Sequence, residues 1–125
     1  MTAFRAVVLE HFRHPRNRGP LSDAQASAEG ANPLCGDRIR IQLRAVDGAL
    51  TDARFTADAC ALCIASASLL TEHIRGMRLP DAELVDIAWL HDSLEGEPPP
   101  GRSRCAQLPL ETMHRAVAML SAASS

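Results

Sequence analysis

The chain has 125 residues and a mass of 13.5 kDa, which suits one domain with a single core, and no second module is expected. Its net charge of −2 and pI near 6.2 give no electrostatic footprint for nucleic acid or anionic lipid, so proteins and small ions are the expected partners. Apolar residues make up 46% of the chain, but no run approaches the roughly 18 to 20 residues a bilayer requires, and a membrane partner is not expected.

The amino-terminal stretch "MTAFRAVVLEHFRHPRN" carries Phe4, Val7, Val8, Leu9, His11 and Phe12 at roughly helical spacing, which predicts a helix over residues 2–13 that Pro15 stops. Arg5, Glu10 and the basic cluster interrupt it, so it lacks the apolar segment of a signal peptide and the expected location is cytoplasmic. His11 and His14 read as capping or solvated groups on this helix. Leu21 to Ala31 is small, polar and weakly patterned, consistent with an irregular strand but not assigned.

From Arg38 to Val46 the pattern has period two, with Ile39, Ile41, Leu43 and Ala45 on one face and Arg38, Arg40, Gln42 and Arg44 on the other. The arginine stripe reads first as a solvated sheet face. Asp47-Gly48 is a two-residue hairpin signal, and beyond it Ala49, Thr51, Ala53, Phe55 and Ala57 alternate with polar partners and Leu50. An antiparallel hairpin follows. After Cys60 the period becomes helical, predicting a helix from about Leu62 to Arg75 closed by Gly76. "LPDAELVDIAWLHDSL" predicts one further helix with Leu84, Val85, Ile87, Ala88 and Leu90 inward, and Trp89 reads as core. "EGEPPPGRSR" is an extended loop, and "LPLETMHRAVAMLSAAS" a closing helix beginning near Pro109. The expected fold class is α+β, a small three-stranded antiparallel meander with helices packed on it.

Four thiols in a chain without a secretory signal point to metal or catalytic chemistry rather than disulfides. Cys35 precedes the first strong strand and Cys60 follows its hairpin partner, so antiparallel pairing brings these ends together. Cys105, after the proline-rich loop, is within reach of the same end. Asp37 adds an oxygen, and three sulfurs with one oxygen suit tetrahedral zinc or the four protein positions of a [2Fe-2S] cluster. The carboxylate is the more exchangeable ligand for soft metal chemistry. Arg102 and Arg104 would favour the thiolate of Cys105. Cys60-x-x-Cys63 alone is ambiguous between a metal half-site and a thiol-disulfide motif, and Cys63 is either core filler or an alternative ligand.

These motifs resemble the iron-sulfur cluster assembly scaffolds of the NifU amino-terminal, IscU and SufU family. "HFRHPRNRGPL" is similar to that family's first helix and loop, "NPLCGDRIRIQL" to its first cysteine motif, "DARFTADACALCIASASLLTEHIRG" to its second cysteine and helix, and "RCAQLPLETMHRAV" to its third cysteine and last helix. The resemblance implies a single scaffold domain over residues 1–125. It implies ligation of zinc or a transient [2Fe-2S] cluster by Cys35, Asp37, Cys60 and Cys105, with Asp37 labile and Cys105 as the persulfide acceptor. It implies a cysteine desulfurase as sulfur donor and apo iron-sulfur proteins or carriers as acceptors. The reading is a carrier rather than an enzyme with its own substrate; the alternative is a SufU-like zinc-dependent sulfurtransferase.

The chain departs from the family pattern at four places. Arg104 stands where IscU proteins often have histidine, and it cannot coordinate a metal. The insertion of the SufU branch between the second and third cysteines is missing. "PPPGRSRC" lacks the hydrophobic residues of the chaperone-recognition motif, which argues against a DnaK-type partner. Cys63 replaces a small residue and adds a thiol beside the site, as an alternative ligand, a sulfur relay or buried filler.

Overall fold

A computed structural model describes residues 6–34, 36–99 and 101–123. The order of elements is α1 (Ala6–Arg13), β1 (Ala26–Asn32), β2 (Asp37–Val46), β3 (Ala49–Asp58), α2 (Ala61–Ile74), α3 (Leu79–Glu83), α4 (Ile87–Ser93) and α5 (Ser103–Ala123). The three strands form an antiparallel meander in the order β1-β2-β3. The helices α2 and α5 pack on it and on each other, and α1 packs against α2.

Alternation places Ile39, Ile41 and Leu43 of β2 in the core, as their spacing predicts. Asp47 and Gly48 both take positive φ, 53° and 79°, the backbone that a two-residue hairpin of primed type demands. The alternation of β3 is broken by a bulge. Pairing runs Arg44 with Asp52 but Ala45 with Leu50, so Thr51 is the extra residue. Leu50 therefore turns inward and is 1% exposed, while Thr51, expected on the inner face, is exposed.

The unassigned stretch supplies a regular edge strand. β1 pairs with β2 from Ala26↔Leu43 to Asn32↔Asp37, and its small inward residues let α5 approach closely. A Cβ on Gly30 would collide with Thr112 Oγ1 and Leu108 of α5, so only glycine allows this packing distance. The predicted first helix is seen from Ala6; Phe4 lies outside the described residues.

The single helix expected over "LPDAELVDIAWLHDSL" is two. Asp86 caps α4 by accepting the Trp89 N–H at 2.9 Å, and the Val85 carbonyl accepts from His114 Nε2 of α5 at 2.7 Å. These bonds end α3 before residue 84, and Leu84, expected inside, is 77% exposed. Ala88 is also exposed. Trp89, expected in the core, is half-buried and stacks on His73 with ring centroids 3.9 Å apart.

The last helix begins at Ser103, six residues before Pro109. Pro109 sits inside it, buried, where its missing N–H removes the bond that the Cys105 carbonyl would accept. Cys105 thus belongs to the first turn of α5 rather than to a preceding loop. Among the described residues no helix is long and apolar enough to cross a membrane.

Candidate metal centre

The register of the sheet builds one end of the site. Asp37 is the first residue of β2 and pairs with Asn32, the last of β1, across a four-residue turn. Asn32 folds that turn back: its Oδ1 accepts the Leu34 N–H at 3.2 Å and its carbonyl accepts the Gly36 N–H at 2.8 Å. Gly36 has φ +76°, a conformation that glycine takes without strain. On the other side of β2, Arg38 pairs with Asp58, the last residue of β3, so the chain leaves the sheet beside Asp37 and reaches Cys60 two residues later.

Cys60 occupies the N-cap position of α2, and its carbonyl accepts the first helical N–H, from Ile64, at 3.1 Å. Its own N–H donates to Asp37 Oδ1 at 2.9 Å. That bond ties the start of the sheet to the start of the helix. From the third side comes Cys105, held by its N–H on the Arg102 carbonyl at 3.1 Å. The ligand atoms of Asp37, Cys60 and Cys105 all lie within 4.8 Å of one another, the only such group of three among the described residues. Asp37 is 3% exposed and Cys105 4%, while Cys60 is half-buried. Cys35, the fourth member expected from the sequence, lies outside the described residues.

Burial pushes the Cys105 thiol well above its ordinary range, and hydrogen bonding to Cys60, the proximity of Cys60 and that of Asp37 add to the effect. The expected activation by Arg102 and Arg104 is overridden, since Arg104 is exposed and the thiol faces sulfur and carboxylate instead. A divalent cation at this point inverts the balance, because its charge stabilises the anions that burial opposes. Two soft sulfurs and one oxygen from three separate elements form a donor set that fits zinc or iron.

Cys63 stands apart from this group. It is fully buried in α2, one turn beyond Cys60, among the apolar residues of the core. The arginine stripe is partly neutralised: Arg40 pairs with Glu29 at 2.7 Å, and Arg38 faces Asp58 across the strands. His11 does more than cap its helix. Its Nδ1 lies 2.7 Å from Ser68 Oγ of α2, which also accepts the Arg16 N–H at 2.9 Å. The loop after α1 is thereby fastened to α2, a contact that local periodicity cannot reveal because the partners are 57 residues apart.

Residues 3–124 match the NifU-like N terminal domain. The chain is 30% identical over 135 residues to the zinc-dependent sulfurtransferase SufU of Bacillus subtilis, covering 94% of this chain and 90% of that protein. It is 36% identical over 116 residues to the iron-sulfur cluster assembly scaffold protein IscU of Aquifex aeolicus, covering 91% and 73%. A third relative, the bifunctional protein NifU/MnmA of Rubrobacter xylanophilus, is 36% identical over 110 residues, and the match covers 87% of this chain but only 22% of that protein's length. Among solved structures, a putative SUF-system scaffold protein from Fervidobacterium islandicum superposes with a TM-score of 0.80 at 21% identity, covering 92% of this chain and 96% of that one. Matched over nearly its full length by that domain, the chain belongs to the NifU-like N terminal family of iron-sulfur cluster assembly scaffolds.

Proposed function

We propose that this single domain, residues 1–125, receives sulfur from a cysteine desulfurase together with iron, builds a transient [2Fe-2S] cluster, and hands it to apo-proteins in the cytoplasm. The observation that carries the reading is the convergence of Asp37, Cys60 and Cys105 within 4.8 Å at the junction of β2, α2 and α5. Cys35, two residues before Asp37 in the chain, completes the ligand set.

Each residue has a distinct part. Cys105 accepts the sulfane sulfur: though itself buried, it lies in the first turn of α5 next to the exposed Arg102 and Arg104 that a donor's active-site loop would approach. Cys60 anchors the cargo from the N-cap of α2. Asp37 is the exchangeable ligand, because an oxygen binds soft iron less firmly than thiolate does and is the first bond to break when an acceptor competes. A scaffold requires this weakness.

A second reading, a zinc-dependent sulfurtransferase that relays persulfide without building a cluster, is favoured by Arg104 in place of a ligating residue and by the 90% coverage of the Bacillus subtilis relative. Anaerobic incubation with iron, cysteine and a cysteine desulfurase separates the two. Visible charge-transfer bands with about two irons per cluster, lost in Cys105→Ser, are expected of the scaffold. Colourless protein that retains stoichiometric zinc and accelerates the desulfurase would replace it with the sulfurtransferase.

A further inference from the structure

The thiol that the metal centre leaves over is Cys63. Cys60 is the N-cap of α2 and Cys63 its third helical residue, so the two stand on one face of the first turn. With a rise of about 1.5 Å and about 3.6 residues per turn, Cα atoms three apart on a helix are about 5 Å apart, within the roughly 4.4 to 6.8 Å that a disulfide spans. The Cys60 side chain makes no capping hydrogen bond to the helix end; its hydrogen bond is with Cys105, across the site. On its other side, Cys60 Sγ lies within 4.8 Å of Cys105 Sγ. Cys60, half-buried, therefore stands between the buried Cys105 of the metal centre and Cys63 sealed in the core.

We infer that Cys63 is a resolving thiol, which attacks Cys60 Sγ when Cys60 carries a sulfane sulfur, expels that sulfur as sulfide and leaves a Cys60–Cys63 disulfide. This role rests on the sulfur-acceptor reading above. In the first step Cys60 thiolate takes the outer sulfur of a Cys105 persulfide; a bond from Cys60 Sγ to that sulfur forms, the bond from Cys105 Sγ breaks, and Cys105 leaves as thiolate. In the second step Cys63 thiolate bonds to Cys60 Sγ, and hydrosulfide departs with the electron pair of the broken bond. In sum, the Cys60 persulfide and the Cys63 thiol give the Cys60–Cys63 disulfide and one hydrogen sulfide. The sulfane sulfur gains two electrons and the two thiols lose one each. An external dithiol reductant resets the pair.

Burial makes the reaction selective. Cys63 is 0% exposed, so oxidants in solution do not reach it, and its place in the first turn of α2, where helix N–H groups and the macrodipole favour an anion, supports the thiolate that burial opposes. Metal on Cys60 blocks the attack, because the ligating sulfur is committed to the ion.

The test treats metal-free protein with a cysteine desulfurase and cysteine, without added reductant, and measures free sulfide and peptide masses for the parent, Cys63→Ala and Cys63→Ser. The parent is expected to release about one sulfide per chain and to yield a Cys60–Cys63 cross-linked peptide lighter by about 2 Da. Both variants should keep the sulfur as an adduct of about 32 Da and release less than about a tenth as much sulfide, while binding zinc as the parent does. Zinc chloride added beforehand should suppress release from the parent. Equal release from Cys63→Ala and parent, or a cross-link between Cys60 and Cys105 in place of Cys63, overturns the role of Cys63 and leaves the sulfur-acceptor reading standing. Absence of the adduct from all three proteins, with no sulfide released, overturns the sulfur-acceptor reading itself, and the role of Cys63 with it.

Discussion

Removing the Asp37 carboxylate separates its two roles, as a ligand and as the clamp between sheet and helix. In Asp37→Ala the Cys60 N–H at the N-cap of α2 loses its acceptor, now 2.9 Å away, in a site where Asp37 itself is 3% exposed. A hydrogen bond to a charged group contributes about 1.5 to 3 kcal/mol, and little water reaches the orphaned donor to compensate. For a two-state chain of this length that corresponds to a fall in Tm of roughly 6 to 12 °C. Asp37→Asn keeps a neutral acceptor and should cost about half as much. Denaturant unfolding of the metal-free proteins measures this directly. The effect on the loaded protein has the opposite sign: without its exchangeable oxygen ligand, a reconstituted cluster should survive longer against an acceptor or chelator. Asp37→Ala that unfolds at the parent's midpoint refutes the clamp, and a variant that loses cluster faster than the parent refutes the role of labile ligand.

Gly30→Ala forces a Cβ into Thr112 Oγ1, so Thr112 must abandon its 2.8 Å bond to the Leu108 carbonyl or α5 must move outward; a loss of about 1 to 3 kcal/mol in unfolding free energy is expected, with weakened zinc binding because α5 carries Cys105. Because burial raises the Cys105 thiol, the folded chain holds that proton more tightly than the unfolded one. Stability of the metal-free protein is therefore intact below about pH 9 and falls as pH rises beyond it, a slope that Cys105→Ala should remove in denaturation series at about pH 8 to 10.5. His11 and His73 are both lowered from 6.5, His11 by burial and by Arg16 and His73 by burial, so the unfolded chain takes up their protons first. Stability should fall as pH drops below about 6.5, and the double variant His11→Gln/His73→Gln should flatten that limb.

The parts of the fold that were legible in the sequence are those where one local pattern decides the outcome. The alternation of Arg38 to Val46, the Asp47-Gly48 turn and Gly76 after α2 each carry their own geometry. The antiparallel hairpin then brings Asp37 and Cys60 together as topology requires. Elements settled by long-range contacts were not legible. β1 consists of small residues with weak propensity, and it becomes a strand because β2 offers hydrogen bonds and α5 needs the space above Gly30. The break between α3 and α4 follows from Asp86 and from a carbonyl taken by His114, neither of which disturbs helical periodicity. Pro109 signals a helix start, yet α5 runs through it because its buried ring packs in the core. That early start sets Cys105 in a helical first turn facing Asp37 and Cys60, which is why its thiol is raised where flanking arginines suggested the reverse.

The central claim is that Asp37, Cys60 and Cys105 act together on one metal. X-ray absorption at the zinc edge of the zinc-loaded protein tests it most directly, read beside Cys105→Ala and Asp37→Ala. The account predicts sulfur at about 2.3 Å and one oxygen at about 2.0 Å in the parent, one sulfur fewer in Cys105→Ala, and no protein oxygen in Asp37→Ala. A zinc environment that is unchanged in both variants would contradict it.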